Sequence, residues 1–165
     1  MTIKTAAKKA APADPDAIQL LVQDHKEVHA LFQHYKKLAE AESGAKERQP
    51  LAGQICTMLT VHATIEEEIF YPAAREAGVD SALLDEAEVE HASAKELIAQ
   101  IEAMGADDEL YDAKVTVLGE YIDHHVKEEQ DELFPKCRKA KMDLAELGTA
   151  LAERKEELLG EMAAA

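Results

Sequence analysis

The sequence predicts an all-α protein, an antiparallel up-down-up-down four-helix bundle followed by a fifth, C-terminal helix. The chain is rich in Ala, Leu, Glu and Lys, which favour helices. No alternating run of β-branched residues indicates a strand. Apolar residues instead recur three and four positions apart, the spacing of a helix with one buried face. Four such stretches predict the bundle, and a fifth follows them.

Chain length and composition predict one domain. With 165 residues and 47% hydrophobic residues, the chain has enough apolar material for one core. We expect residues 1–13 to form a flexible N-terminal tail, residues 14–140 the bundle, and residues 141–165 a C-terminal amphipathic helix. The tail carries lysines among alanines and has no apolar stretch of the kind that a secretory signal needs.

Proline and glycine residues bound the first two helices. We expect the first helix to begin at Asp14-Pro15, where a capping carboxylate precedes a proline at the first helical position. It should end at Ser43-Gly44. The second helix should begin near Pro50 and end near Gly78. Pro72 lies inside it and should kink the helix or interrupt its hydrogen bonding, because proline has no N–H group to donate.

The third and fourth helices repeat this arrangement. Asp80-Ser81 offers caps for the third helix, and Gly105 ends it. The fourth helix begins after Asp107-Asp108, and Pro135 should interrupt it as a proline interrupts the second. The sequence therefore predicts two helical hairpins with the same arrangement of caps and prolines.

The last segment predicts an amphipathic helix. Asp143, with Glu146 three residues later, resembles a capping box. Its apolar stripe comprises Leu144, Leu147, Leu151, Leu158, Leu159 and Met162. This helix either docks on the bundle or forms a contact between two copies of the chain, and the sequence leaves both open.

A repeated motif dominates the chain. Residues 62–72 and 125–135 both read His-x-x-x-Glu, and a proline follows six residues after the Glu. Residues four apart lie on the same face of a helix. His62 and Glu66 therefore point the same way, as do His125 and Glu129. Each pair occupies positions where an apolar residue would be expected, which indicates half of a metal site.

Two further histidines lie on the apolar stripes of the preceding helices. His25 comes 37 residues before His62, and His91 comes 34 residues before His125. This spacing suits a helix, a turn and a return to the same level. A single histidine on an apolar face is more often a core residue with a hydrogen-bond partner. Two buried carboxylates at the same level, however, would be costly without cations, so the set as a whole predicts a two-metal site.

The order of these residues resembles that of the hemerythrin HHE cation-binding family. It runs His25, then His62-x-x-x-Glu66, then His91, then His125-x-x-x-Glu129, over about residues 16 to 140. The resemblance implies a hemerythrin-like bundle around a non-haem di-iron centre. The first two histidines would hold one iron and the last two the other. The two glutamates would bridge both ions, and an oxo or hydroxo group would complete the link.

One departure from oxygen-carrying hemerythrins affects the functional interpretation. Those proteins have a fifth histidine one turn before the third-helix ligand, and here that position is Ala87. Of the nearby carboxylates, Glu88 is best placed to reach inward. The site would then have more open or water-filled positions than the site of an oxygen carrier, which argues against reversible O₂ carriage.

Other polar residues near the motifs are weaker candidates. His29 lies one turn after the first candidate ligand and could reach the site, whereas His34 should face solvent. His124 points about 100° away from its neighbour on a helix and should not share the ligand role. Tyr121 should point into the core. The remaining carboxylates of the two motifs should be solvated: Glu67, Glu68, Glu128 and Glu132.

Charge and cysteine content exclude several classes of function. The formal net charge is −16, with 34 acidic against 18 basic residues, which argues against a nucleic-acid partner because phosphate binding needs a basic patch. No apolar run approaches the roughly 20 residues that span a bilayer. Cys56 and Cys137 form no C-x-x-C pair, as is typical of reduced thiols in the cytoplasm.

The sequence therefore favours a cytoplasmic hemerythrin-like protein that binds O₂ or a related small oxidant. Imidazoles and carboxylates suit iron, although the spacing alone also allows manganese or zinc. One alternative is a di-iron enzyme for peroxide or nitric oxide detoxification or ferroxidation. Another is an iron donor for cluster repair, and a third is a metal-free acidic interaction module.

Overall fold

The computed structural model describes residues 14–165, so the predicted tail of residues 1–13 lies outside the described residues. Helices account for most of this part of the chain. In order they are α1 Ala17–Glu40, α2 Ala45–Ile65, π1 Glu66–Phe70, α3 Tyr71–Glu76, α4 Ser81–Ala103, α5 Tyr111–Glu128, π2 Glu129–Leu133, α6 Phe134–Lys139 and α7 Leu144–Ala164.

The predicted fold class is confirmed. Helices α2, π1 and α3 follow one another without a break, and so do α5, π2 and α6. Each set forms one long rod. Helices α1 and α4 are the other two rods of the bundle, so that in chain order the four rods are α1, α2–π1–α3, α4 and α5–π2–α6. They form the antiparallel four-helix bundle, and no strand occurs among residues 14–165. The fifth helix, α7, packs against α1 and α2.

The first two helix starts differ from the predicted ones. Helix α1 is capped by Asp16, two residues after the predicted Asp14, because Asp16 and Gln19 exchange side-chain to backbone hydrogen bonds at 2.8 and 3.0 Å. Helix α2 begins five residues before Pro50 and contains it. There Gly44 N–H donates to Glu47 Oε2 at 2.9 Å, which stabilises a turn ahead of the proline.

The caps of α4 and α7 are the residues that the sequence predicts. Asp80 accepts hydrogen bonds from Ala82 N–H and Leu83 N–H at the start of α4. Asp143 accepts one from Glu146 N–H at 3.0 Å at the start of α7. Gly78 ends the second rod with a φ of 79°, a left-handed conformation that glycine adopts without strain.

Both prolines of the repeated motif interrupt α-helical hydrogen bonding, as predicted. Ahead of Pro72, Tyr71 N–H donates to Glu66 O, and ahead of Pro135, Phe134 N–H donates to Glu129 O. These bonds span five residues instead of four. They define two π-helical turns, which commonly occur at functional sites. The motif glutamates stand at the start of these turns.

Two buried apolar clusters lie on either side of the level that the motif residues occupy. The first contains Phe70, Tyr71 and Phe134, and the second contains Val28 and Leu59. The candidate ligands touch both clusters. Phe134 of the first stacks on His25, with ring centroids 5.9 Å apart. Val28 of the second lines a cavity together with His25.

Helix α7 docks on the bundle. Leu151 is completely buried and belongs to the first cluster. Gly148 lies so close to the start of α1 that an added Cβ atom would stand 2.6 Å from Pro15 O. Docking was one of the two options that the sequence left open. Leu159 and Met162 remain partly exposed on this helix, and a contact between two copies of the chain through it stays a prediction.

No helix among residues 14–165 combines the length and apolar character needed to cross a membrane.

Candidate metal centre

The structure brings all six predicted ligand residues together between the four rods. The inner atoms of the set lie in the bundle interior, and most of the side chains are buried. One histidine comes from each of α1, α2, α4 and α5, and the glutamates begin the two π turns. The set is His25, His62, Glu66, His91, His125 and Glu129.

The two carboxylates lie between histidines of different hairpins. Glu66 Oε1 is 2.9 Å from His62 Nε2 and 3.4 Å from His91 Nε2. Glu129 Oε1 is 3.1 Å from His25 Nε2 and 3.4 Å from His125 Nε2. All four Nε2 atoms thus point at the carboxylates. A carboxylate in this place can contact two cations, one beside each hairpin.

The donor atoms form two groups. One consists of His25, His62 and Glu129, and the other of His91, His125 and Glu66; in each, one donor atom per residue lies within 4.8 Å of the others. We call the first group position 1 and the second group position 2. Each group has two imidazoles and a carboxylate, a donor set that iron, manganese and zinc accept.

Although they lie close to one another, several inner atoms of this cluster have no partner in hydrogen-bonding geometry. They are buried and comprise His25 Nε2, His62 Nε2, Glu66 Oε1, Glu66 Oε2 and Glu129 Oε1. Leaving a buried polar atom unpaired is unfavourable by about 1–3 kcal/mol, and more for a charged group. A divalent cation would supply each of these lone pairs with a partner. The residues therefore fit a metal ion.

The protonation of the cluster shows how strongly it favours positive charge. Burial opposes a charged imidazole, yet the Glu66 and Asp24 carboxylates raise the pKa of His62 to about 10. Burial also opposes charge on His125, but Glu129 holds its pKa well above the usual range. Burial raises the pKa of Glu129, but the facing histidines hold it well below its usual value. Metal ions must displace protons to bind here.

The outer nitrogen of every candidate histidine also has a partner. His62 Nδ1 donates to Asp24 at 2.9 Å, and His125 Nδ1 donates to Glu90 at 3.0 Å. His91 Nδ1 lies 3.2 Å from Glu67 Oε2, and His25 Nδ1 lies 2.8 Å from Gln130 Oε1. These contacts orient the rings and keep one proton on Nδ1, so that Nε2 faces inward and can give its lone pair to a metal ion once its own proton is displaced. The four acceptors are each sequence neighbours of a candidate ligand.

A family match supports this assignment of the site. The sequence pattern of the hemerythrin HHE cation-binding domain matches residues 16–137. The chain belongs to the hemerythrin HHE cation-binding family. The match covers all four rods of the bundle and the six candidate ligands. Membership implies that this hemerythrin-like protein binds metal cations.

A solved structure and a curated relative extend the comparison. The solved structure is that of a hemerythrin HHE cation-binding domain-containing protein from Mycobacterium kansasii, which is 23% identical in sequence. The superposition covers 89% of each of the two chains and has a TM-score of 0.74. This likeness shows the hemerythrin-like fold. A protein named DNA nickase from Nostoc sp. is 29% identical over 128 residues, which are 76% of this chain. The match covers only 34% of that relative's length.

Tyr71 is a residue of this hemerythrin-like site that the sequence did not indicate. Its hydroxyl donates to Glu129 Oε2 at 2.7 Å and lies 3.3 Å from His91 Nε2 and 3.5 Å from His125 Nε2. On a regular α-helix, a residue five after Glu66 would point to another side. The π turn brings it to the same side, because its hydrogen bonds join residues five apart. The available signal in the sequence was Pro72, directly after this aromatic residue, because a proline inside a helix interrupts the regular hydrogen bonding.

The repeat places Phe134 where the first motif has Tyr71. Phe134 stacks on His25 with an interplanar angle of 6°, whereas the Tyr71 ring lies 5.4 Å from the His91 ring. One half of the hemerythrin-like centre thus has an apolar ring beside it and the other a hydroxyl group. The two positions are related by the repeat without being equivalent.

A largely enclosed cavity adjoins the centre. It has a volume of about 30 Å³ and is lined by all four candidate histidines. Asp24 and Lys95 also line it, and the rest of its lining is apolar, including Val28, Met58, Leu59, Ala94, Ile98 and Ile122. A site for one water needs about 10–15 Å³ on the same measure, so the cavity has room for a ligand of very few atoms.

Helix α7 reaches the hemerythrin-like centre through a lysine. Lys155 Nζ donates to Asp24 Oδ1 at 2.6 Å, and the other oxygen of Asp24 accepts from His62. Arg154 on the same helix donates to Glu68 at 2.8 Å. The C-terminal helix therefore supports the orientation of one candidate ligand.

Three weaker candidates lie elsewhere than predicted. His29 is exposed and faces Asp123, because it is on the outer side of α1. Glu88 is exposed and pairs with Arg75 at 3.3 Å. Tyr121 is 49% exposed, because Leu118 and Ile122 occupy the inward face of α5.

Two other predictions near the motifs had different outcomes. His34 is exposed and His124 is outside the centre, as expected. Glu67 was predicted to be solvated but is half-buried, and it contacts His91 and Lys95. The π turn accounts for this, since it turns the backbone after Glu66 and brings the next carboxylate towards α4. Ala87 is buried in the same cluster as Tyr71.

Proposed function

We propose that the protein binds O₂ or a related small oxidant, peroxide or nitric oxide, at a non-haem di-iron centre. Positions 1 and 2 would each hold one iron, and the two glutamates and an oxo or hydroxo group would bridge them. Such a protein would serve in sensing, storage or a response to oxidative stress. Bound iron supplies the one-electron steps that the reduction of O₂ or peroxide requires.

The observation that carries this proposal is the cavity against the four histidines. It is largely enclosed, most of its lining beyond the histidines is apolar, and its volume of about 30 Å³ suits very small ligands. Diatomic gases and peroxide have that size. An apolar wall also limits the entry of water, so that a small apolar gas competes better for the site.

The protein's own groups would hold the site in place. Asp24, Glu67, Glu90 and Gln130 fix the rings of the four histidines through their Nδ1 atoms. Leu59 and Ile98 line the cavity and would limit the entry of water. Tyr71 holds Glu129 through its hydroxyl. These contacts would keep the donors in position in the absence and presence of a ligand.

A metal count and a spectrum from one sample test the proposal. Metal per chain would be quantified, and the reduced protein would then be examined by visible absorption before and after exposure to air. We expect two irons per chain and a charge-transfer band that appears with O₂. Absence of bound metal would refute the di-iron proposal. If the protein holds two irons but its spectrum does not respond to O₂, peroxide or nitric oxide, the proposal that these small oxidants bind at the centre would be refuted.

A cavity variant separates ligand access from metal binding. Ala94 lines the cavity and is buried, so Ala94→Leu should fill it while leaving the six donors unchanged. We expect normal iron content with a slower or weaker response to oxidant. Ala92→Leu, at an exposed position on the same helix, is the matched control.

Tyr71 favours a second candidate function, an enzyme that disproportionates peroxide. Its hydroxyl lies beside Glu129, His91 and His125 and is buried. It can donate a proton or a hydrogen bond at the centre. If this is the function, the iron-loaded protein should convert two peroxide molecules to O₂ and two waters rapidly, and Tyr71→Phe should slow it. Turnover no faster than that of free iron would exclude this candidate.

The remaining expectations concern partners and location. The net charge of −16 opposes binding to DNA phosphates, so we expect no nucleic-acid partner for this chain. Cys56 and Cys137 are free and buried, which supports a reducing compartment such as the cytoplasm.

A further inference from the structure

The four acceptors that hold the candidate histidines differ in charge. They correspond in pairs through the repeat: Asp24 and Glu90 precede the first histidine of each hairpin, and Glu67 and Gln130 follow the motif glutamates. Three of the four are carboxylates. Gln130 alone is an amide, so one histidine has a neutral partner where its counterpart has an anionic one.

Around position 1 the outer charges cancel. Asp24 holds His62, and Lys155 donates to the same carboxylate at 2.6 Å. Gln130 holds His25 at 2.8 Å and carries no charge. The sum of these outer groups is zero.

Around position 2 a negative charge remains. Glu67 holds His91 and is paired with Lys95, which repeats the arrangement at position 1. Glu90 holds His125, and its second oxygen lies 3.4 Å from His124 Nε2. Glu128 Oε2 lies 3.3 Å from the same nitrogen. Because this group contains two carboxylates and one imidazole, its net charge is negative whether His124 is neutral or protonated.

The charge of an acceptor changes how strongly its histidine binds a cation. A carboxylate that accepts the Nδ1 proton draws that proton away from the ring and makes Nε2 a stronger donor, whereas an amide does so less. A nearby net negative charge also attracts the cation directly. Both effects favour position 2.

We propose that position 2 binds its metal ion more tightly than position 1 and fills first, because position 1 has the neutral Gln130 and position 2 has the carboxylate of Glu90. This inference rests on the two-metal centre proposed above. It assigns Gln130 and Glu90 the role of positioning residues that act on the metal through His25 and His125.

Single-position variants separate the two binding constants. Metal-free full-length protein would be titrated with Co²⁺ under anaerobic conditions, against a competing chelator, and followed by visible absorption. The double substitution His25→Ala, His62→Ala leaves only position 2. The substitution His91→Ala, His125→Ala leaves only position 1. We expect position 2 to bind Co²⁺ at least tenfold more tightly, because changes in such outer partners typically alter metal affinity by about 10–100-fold.

Isosteric substitutions then test the cause. Gln130→Glu should strengthen Co²⁺ binding at position 1 about tenfold, and Glu90→Gln should weaken position 2 by a similar factor. Glu88→Gln is the control, because Glu88 lies on the same helix, is exposed and contacts Arg75 instead of a histidine. It should leave both constants unchanged. Circular dichroism would verify that each variant is folded.

The outcomes distinguish this inference from the di-iron proposal. Equal constants for the two single-position variants would overturn the inference while leaving the two-metal centre intact. Unchanged binding in Gln130→Glu would overturn the role of that residue. Failure of the wild-type chain to bind Co²⁺ at all would instead refute the metal centre itself.

Discussion

Tyr71 and Glu129 join the two hairpins inside the candidate centre. The Tyr71 hydroxyl donates to Glu129 Oε2 at 2.7 Å, and both residues are almost completely buried. Burial first, and then the Glu129 and Glu66 carboxylates, raise the pKa of Tyr71 well above its usual value. The phenol therefore stays protonated and remains a donor to the carboxylate at physiological pH.

Removing this hydroxyl should weaken the protein and alter the centre. Tyr71→Phe removes the buried donor to Glu129 Oε2, and a hydrogen bond to a charged group contributes about 1.5–3 kcal/mol. We expect the free energy of unfolding of the metal-free protein, measured in urea, to fall by that amount. We also expect the visible spectrum of the iron-loaded protein to shift.

Tyr35→Phe is the matched control for this change. The Tyr35 hydroxyl donates to Asp112 at 2.6 Å and is buried at the other end of the bundle. Its loss should reduce stability without changing the spectrum. A spectral shift in both variants, or in neither, would show that Tyr71 has no particular role at the metal.

The part of this site that sequence could predict is the part with helical periodicity. His62 and Glu66 are four residues apart on one face, so their convergence follows from the spacing alone. Tyr71 could not be found that way, because the π turn changes which residues share a face. Lys155 could not be found either, since its contact with Asp24 joins residues 131 apart. Such contacts depend on how the fifth helix docks.

Loss of the Lys155 side chain should weaken the docking of α7 on the bundle. Asp24 is buried, and Lys155→Met would remove one of its two partners. We expect a loss of about 1.5–3 kcal/mol in the free energy of unfolding. A double-mutant cycle with Asp24→Asn would measure how much of that loss belongs to the pair.

Arg154→Met gives the comparison on the neighbouring residue. Arg154 pairs with Glu68, which is exposed, and pairs of this kind contribute about 0–1 kcal/mol. Lys155→Arg should restore most of the lost stability. Equal losses in Lys155→Met and Arg154→Met would contradict a special role for the contact with Asp24.

The close approach of α7 to the start of α1 can be tested at a glycine. Gly148→Ala would place a Cβ atom 2.6 Å from Pro15 O and 2.9 Å from Ala17 N, both of them backbone atoms that cannot easily move. We expect destabilisation by about 1–3 kcal/mol, as in other overpacked sites. Thermal unfolding would measure it.

Gly160→Ala on the same helix should have the opposite effect. Nothing lies within 4 Å of a Cβ atom added there, and alanine is favoured over glycine inside a helix by about 1 kcal/mol. An increase in stability at both positions would mean that α7 is not held against α1 as the structure shows.

The protonation of His62 predicts how the stability of the metal-free protein depends on pH. The folded pKa of His62 is about 10, against about 6.5 in an unfolded chain. The folded state therefore binds the proton more tightly, and this stabilisation is complete below pH 6.5 and is lost as the pH rises to 10.

Urea unfolding of the metal-free protein at several pH values should show that the free energy of unfolding declines over this window. His62→Gln should make that decline smaller. The buried thiols Cys56 and Cys137, whose pKa values burial raises to about 12, also contribute above pH 9, but equally in both proteins. A bound divalent cation replaces the proton on His62, so the stability that zinc adds should increase with pH across the same window. A decline of equal slope in wild type and His62→Gln would show that His62 carries no proton in the metal-free centre.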